Sequence, residues 1–83
     1  MIYTVRTTHQ LAMILQGCRK QAELSQKQAS VKVGMLPKTI SALEINPDNC
    51  SISSLFKLLS ALDLEMVLQP KHLSQNNNDV DQW

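Results

Sequence analysis

The stretch from Leu24 to Glu44, LSQKQASVKVGMLPKTISALE, leaves this chain few folds to choose from. Ser25 stands three residues ahead of Gln28. At that spacing a hydroxyl accepts from the backbone of the third helical residue, and the longer side chain returns a bond to the cap. A short helix is predicted from Gln26 to Val33, with Ala29 and Val33 turned inward. Gly34 follows directly, and glycine enters the left-handed backbone region that ends a helix at no steric cost. Pro37 then suits the first position of a new helix, where a missing N–H removes nothing. That helix is predicted to run to about Glu44, burying Ile40 and Leu43 and presenting Pro37, Lys38, Ser41 and Ala42 outward. Two short helices around a tight glycine turn make a helix-turn-helix unit. The second helix of such a unit fits the major groove of DNA, with its first residues within reach of base edges.

The rest of the chain builds a body around this unit. Thr7 and Gln10 repeat the capping spacing, so a first helix is expected from about Thr8, ending near Ala22 or Glu23. Its apolar face reads Leu11, Ile14, Leu15, Cys18 and Ala22. Asn46-Pro47-Asp48-Asn49 is dense in turn residues. Ser51 can cap a fourth helix that faces inward with Leu55, Leu58, Leu59 and Leu62, a face that Ile52 and Phe56 would broaden. Past Asp63 the period changes from helical to alternating, with Leu64, Met66 and Leu68 against Glu65, Val67 and Gln69, so a short strand is expected, ended by Pro70. A lone strand leaves its backbone groups unpaired. Pairing with the same strand of a second copy across a two-fold axis solves this and predicts a homodimer. Residues 71–82 are rich in Gln, Asn, Asp and Ser and have little to bury. A disordered polar tail is expected over 70–83, closed by Trp83, leaving residues 1–69 as the DNA-binding and dimerisation domain.

Composition agrees with a small helical body. The 83 residues fit one domain, and with one Phe, one Tyr and one Trp the core must be aliphatic, which favours packed helices over a sandwich or barrel. A core of this size is marginal for a lone chain, and dimerisation extends it. Charge is split along the chain. Residues 1–44 hold Arg6, Arg19, Lys20, Lys27, Lys32 and Lys38 against Glu23 and Glu44, a net of +4. Residues 45–83 hold Lys57 and Lys71 against Asp48, Asp63, Glu65, Asp79 and Asp81, a net of −3. A basic front half suits phosphate, and an acidic back half suits a subunit interface or a basic partner.

Catalysis is not expected. Cys18 and Cys50 have no metal or redox spacing, and His9 and His72 are not placed with other ligands. Two glycines do not make a phosphate-cradling loop, and no nucleophile–base arrangement is visible. The expectation is no enzyme, no metal, no cofactor and no small-molecule substrate. RNA is disfavoured because stacking aromatics are absent from the predicted surface. With no apolar span and no signal segment at its start, the chain is expected in the cytoplasm and not at a membrane. On that basis the sequon Asn49-Cys50-Ser51 is not a glycosylation site.

Residues 8–64 resemble the Cro/C1-type (XRE) helix-turn-helix family through Ser25-Gln26, Gly34, Thr39-Ile40-Ser41, Glu44, Pro47 and the Leu-rich fourth helix. The resemblance implies that Gln26 contacts the DNA backbone. It also implies that Lys38, Thr39 and Ser41 lie on or near the groove-facing side of the recognition helix, and that Arg19 and Glu44 join the first and third helices. Lys38 can donate to guanine or to phosphate, Ser41 can bond a base edge or phosphate, and Lys20 and Lys27 suit phosphate. Three departures stand out. Ala29 sits where a large apolar residue is usual, Leu36 where a capping Ser or Thr is common, and Pro37 where a base-reading polar side chain is frequent. Pro37 thus occupies a DNA-contact position with one polar contact fewer, which leaves more of the specificity to DNA shape.

Many members of that family continue into a fifth helix. Here the chain turns into Asp63-Leu64-Glu65-Met66-Val67-Leu68-Gln69 and a polar tail ending in Trp. Together with Asn46-Pro47-Asp48-Asn49 and Phe56-Lys57, this is similar to HipB-type antitoxins, which pair with HipA-type serine/threonine kinase toxins. The resemblance implies a four- to five-helix, mainly α fold with one short C-terminal β-strand, Glu65, Met66, Val67, Leu68 and Gln69, pairing across a homodimer. It implies operator DNA and a HipA-like kinase as partners. A polar tail ending in one large aromatic suits anchoring in a partner's pocket, which makes Trp83 a candidate anchor on the kinase; the alternative is an unstructured, protease-accessible end. A stand-alone repressor of phage or plasmid type, with no toxin, is the alternative reading of the same motif.

Overall fold

The structure, a computed structural model of the chain, describes residues 2–71. In order they form α1 (Thr8–Gln21), α2 (Gln26–Val33), α3 (Pro37–Ile45), a single 3-10 turn (Pro47–Asn49) and α4 (Ile52–Ala61). This is a mainly α, four-helix arrangement in which α2 packs on both α3 and α4. Among the described residues no helix is long and apolar enough to cross a membrane.

Local chemistry sets the helix ends. The Thr7 hydroxyl accepts from the Gln10 amide at 3.0 Å, and Gln10 Oε1 accepts in return from the Thr7 amide at 3.2 Å. Ser25 and Gln28 repeat the exchange at 3.0 and 2.8 Å. Each box satisfies donors that a helix start leaves without partners. α1 stops at Gln21, with Ala22 capping and Glu23 in the left-handed region at φ 60. Asp63 does the same beyond α4 at φ 59. Both are non-glycine residues in a conformation that disfavours a Cβ.

The core is one aliphatic cluster of Leu15, Ala29, Ile40, Leu43, Leu58, Leu59 and Ala61, with Leu11, Leu24, Val33, Met35, Leu55, Leu62 and Leu64 packed against it. Two expectations about faces are corrected. Ala22 is exposed, because the helix has ended before it, and α1 instead buries Ala12, Leu15 and Arg19. Ile52 and Phe56 do not broaden the inward face of α4. They lie one turn apart on its outward side, while Leu58, Leu59 and Ala61 face the core. A further tie joins distant segments, as the Thr8 hydroxyl donates to Asp48 Oδ1 at 2.6 Å and fixes the start of α1 to the 3-10 turn.

Residues 64–70 form neither helix nor strand in the single chain. No described segment offers them a ladder, and a strand exists only as half of a pair. Burial fades along this stretch: Leu64 is half-buried, whereas Met66, Val67 and Leu68 are 45%, 71% and 89% exposed. Phe56, Leu59, Ser60 and Leu64–Met66 border an open groove of about 440 Å³ where the chain leaves α4. The expectations for residues 72–83, Trp83 included, lie outside the described residues.

Candidate nucleic-acid interface

The two helices of the motif are joined at Gly34, whose φ of 68 and ψ of 38 place it in the left-handed region. Its amide, and that of Met35 at 3.0 Å, both donate to the Ser30 carbonyl, which closes the C-terminus of α2. Leu36 then runs extended (φ −85, ψ 144) and Pro37 opens α3. No side chain caps α3, and the Thr39 amide donates to the Leu36 carbonyl at 3.0 Å instead. On α2, Ala29 is fully buried and Ser30 nearly so. The Ser30 hydroxyl donates to the Lys27 carbonyl at 2.7 Å, so its burial leaves no unmet polar atom. The small side chain at position 29 sits within the aliphatic cluster, so α2 packs at that point through a methyl group.

A buried ion pair orients this unit on the body. Arg19 on α1 donates from Nε to Glu44 Oε2 at 2.6 Å and from Nη2 to Oε1 at 3.0 Å. Its Nη1 donates to the Leu24 carbonyl at 2.8 Å, in the loop between α1 and α2. Gln26 Nε2 completes the set, donating to Glu44 Oε1 at 3.3 Å. Both charged residues are buried, and no buried side-chain nitrogen or oxygen lacks a partner among the described residues. The fork-to-carboxylate geometry is the strong form of this contact. The hydrogen bond to Glu44 holds the Arg19 guanidinium above its ordinary value, opposed by the cost of burying a charge.

The residues expected at the interface occupy two kinds of place. Lys27, Pro37 and Lys38 are exposed at the starts of α2 and α3. Thr39 and Ser41 are half-buried on α3. Gln26 is half-buried and tethered to Glu44, which fixes it at the first position of α2. Glu65–Gln69 are exposed and remote in sequence from this surface. Sequence reasoning missed Gln26 as a member of the buried network, and the Leu24 carbonyl with it. A signal existed for the pair itself. Arg19 follows Leu15, and Glu44 follows Ile40, by four residues, so each charge continues a buried stripe of its helix. Among the described residues no three metal-capable side chains converge.

With this geometry the comparisons with known proteins agree. A family model described as helix-turn-helix matches residues 15–69. Antitoxin HipB of Escherichia coli O6:H1 is 41% identical over 59 residues, covering 71% of this chain and 63% of that protein. Antitoxin HipB of Escherichia coli K12 is 39% identical over 59 residues, covering 71% of this chain and 67% of that one. The alignment thus spans a little under two thirds of the first relative. Among solved structures, a chain of a HipA-HipB-O2-O3 complex superposes with a TM-score of 0.81 at 33% identity, over 84% of this chain and 99% of that one. A HipB-O4 20mer complex gives the same values. Through the matched motif and these relatives, the chain belongs to the helix-turn-helix family and is of the HipB antitoxin type.

Proposed function

We propose that this chain is the antitoxin of a toxin–antitoxin pair: a dimeric repressor of its own operon that also binds and restrains a HipA-like serine/threonine kinase. One observation carries this reading. The likeness at 33% identity extends over 99% of a HipB chain in a complex that also holds HipA and O2-O3. The similarity therefore reaches beyond the DNA-binding motif into the segment after α4.

In this reading the start of α3 enters the major groove, with Lys38, Thr39 and Ser41 at base edges or flanking phosphates and Pro37 beside them. Gln26 and Lys27 meet the backbone from the start of α2. Glu65–Gln69 pair with the same residues of a second copy, which supplies a ladder that the described residues of one chain do not offer. The two copies then present two recognition helices to a two-fold operator. Trp83 anchors on the kinase. The chain acts by binding and not by catalysis, on operator DNA in the cytoplasm.

The test is purification of the full chain from its native host, with mass spectrometry of what it retains. A HipA-like kinase chain in stoichiometric amount is the expected result. Recovery of the homodimer and DNA alone would replace this reading with a stand-alone repressor.

A further inference from the structure

Between Leu24 and Glu44, Val31 and Leu36 are the large apolar side chains that stay exposed; Leu24, Val33, Met35, Ile40 and Leu43 all pack on the core. Leu36 is 57% exposed and stands at the leading edge of α3, in the place where a hydroxyl would cap the helix. Pro37 beside it is exposed as well and has neither a backbone N–H nor a polar side chain. The surroundings are basic, with Lys27, Lys32 and Lys38 all exposed. An exposed apolar tip on a segment that carries three exposed lysines is a poor solvent face and a suitable face for a groove lined by phosphates. Within the major groove, the feature that an apolar side chain recognises is the C5 methyl of thymine.

We propose that Leu36, with Pro37 against it, reads a thymine methyl group in each operator half-site. The inference rests on the operator-binding reading above and deepens it. It turns two departures from the family pattern, a missing cap and a missing polar reader, into one apolar reader. The half-site then carries an A·T or T·A pair facing the start of α3, with the methyl on the strand that Leu36 meets. Hydrogen-bonded readout falls to Lys38 and Ser41 further along.

The test uses the full-length protein and a randomised duplex library. The enriched duplex is remade with each thymine in turn replaced by uracil, which removes the methyl and nothing else. At one position per half-site the replacement is expected to weaken the native protein roughly fourfold, the effect of one methyl group leaving water. Leu36→Ser, which restores a capping side chain and so keeps the helix start, is expected to bind thymine and uracil duplexes equally at that position. Its thermal midpoint should match or exceed that of the native protein. Equal uracil penalties for native protein and Leu36→Ser at every position would overturn this inference and leave DNA binding standing. Failure of the library to enrich any duplex would overturn both.

Discussion

Residues 24–44 and residues 64–71 differ in how much of their chemistry they complete alone. In the first, two capped or closed helices share a buried Arg19–Glu44 pair, and every apolar side chain but Val31 and Leu36 among the large ones is packed. In the second, backbone groups find no ladder among the described residues and exposure climbs to 89% at Leu68. The motif is thus specified among the described residues of one chain, whereas the C-terminal segment carries an alternating pattern that finds no partner among them. On the reading proposed above, a small protein that meets both DNA and protein partners gains from this split. Its DNA-facing part is settled before binding, and its protein-facing part keeps apolar side chains available.

The contrast is sharpest at Arg19. Arg19→Ala leaves Glu44 buried and without its partner, and should cost about 3–5 kcal/mol in denaturant unfolding. Replacing both residues with apolar ones of similar volume should recover most of that loss. Because the guanidinium is held above its ordinary value, its share of the stability is complete at neutral pH and would fall only as pH rises through that elevated value. An alanine variant of unchanged stability would show that the motif is held by its apolar contacts alone.

Ending the chain after Leu64 tests the other side. Helix content should persist, dimers should dissociate in sedimentation, and operator affinity should fall by roughly 10²–10⁴-fold as linked half-site binding is lost. A truncated protein that sediments as a dimer would remove the strand assignment. Within the motif, Lys38→Ala should weaken operator binding by about 1–3 kcal/mol and relax preference at one base pair if Lys38 reads a base. A uniform loss on all sequences would assign it to phosphate. The smallest effect is expected at Gly34. An added Cβ meets nothing within 4 Å, so Gly34→Ala should cost only the left-handed backbone penalty of about 1–2 kcal/mol. Gly34→Asn should cost less, since asparagine visits this region more readily. Thermal unfolding of the two variants decides it.

What could be read from the sequence was what neighbouring residues decide. The boxes at Thr7/Gln10 and Ser25/Gln28, the stop at Gly34 and the start at Pro37 each depend on at most three intervening positions, and all formed as read. Faces were harder. Ala22 fits the helical period of α1, but period says nothing about where a helix ends, and Glu23 had already turned into the left-handed region. The period placed Leu58 and Leu59 inward, but Phe56 and Ile52 are as apolar as their neighbours, and only the packed structure shows that they do not broaden that face. The bonds from Gln26 to Glu44 and from Thr8 to Asp48 join residues 18 and 40 positions apart, beyond any local rule. On α3, the exposure of Pro37 and Lys38 followed from helix phase, whereas Ser41 and Ala42, read as outward, are half-buried. The second duty of Gln26, inside the ion-pair network, did not follow from phase. The pattern at 64–69 was legible as an alternation, but no strand forms there among the described residues, and its pairing with a second copy belongs to the reading proposed above.

Arg19 touches the Leu24 carbonyl in the loop and Glu44 on α3, and Glu44 in turn holds Gln26 on α2. Three separate pieces of the chain therefore meet at one guanidinium, and α2 joins them through Glu44. On the reading proposed above, operator DNA encounters a surface that needs no rearrangement to be engaged. Association then runs at the pace of electrostatic encounter and slows as salt rises, while right and wrong sites are told apart by how long the protein stays.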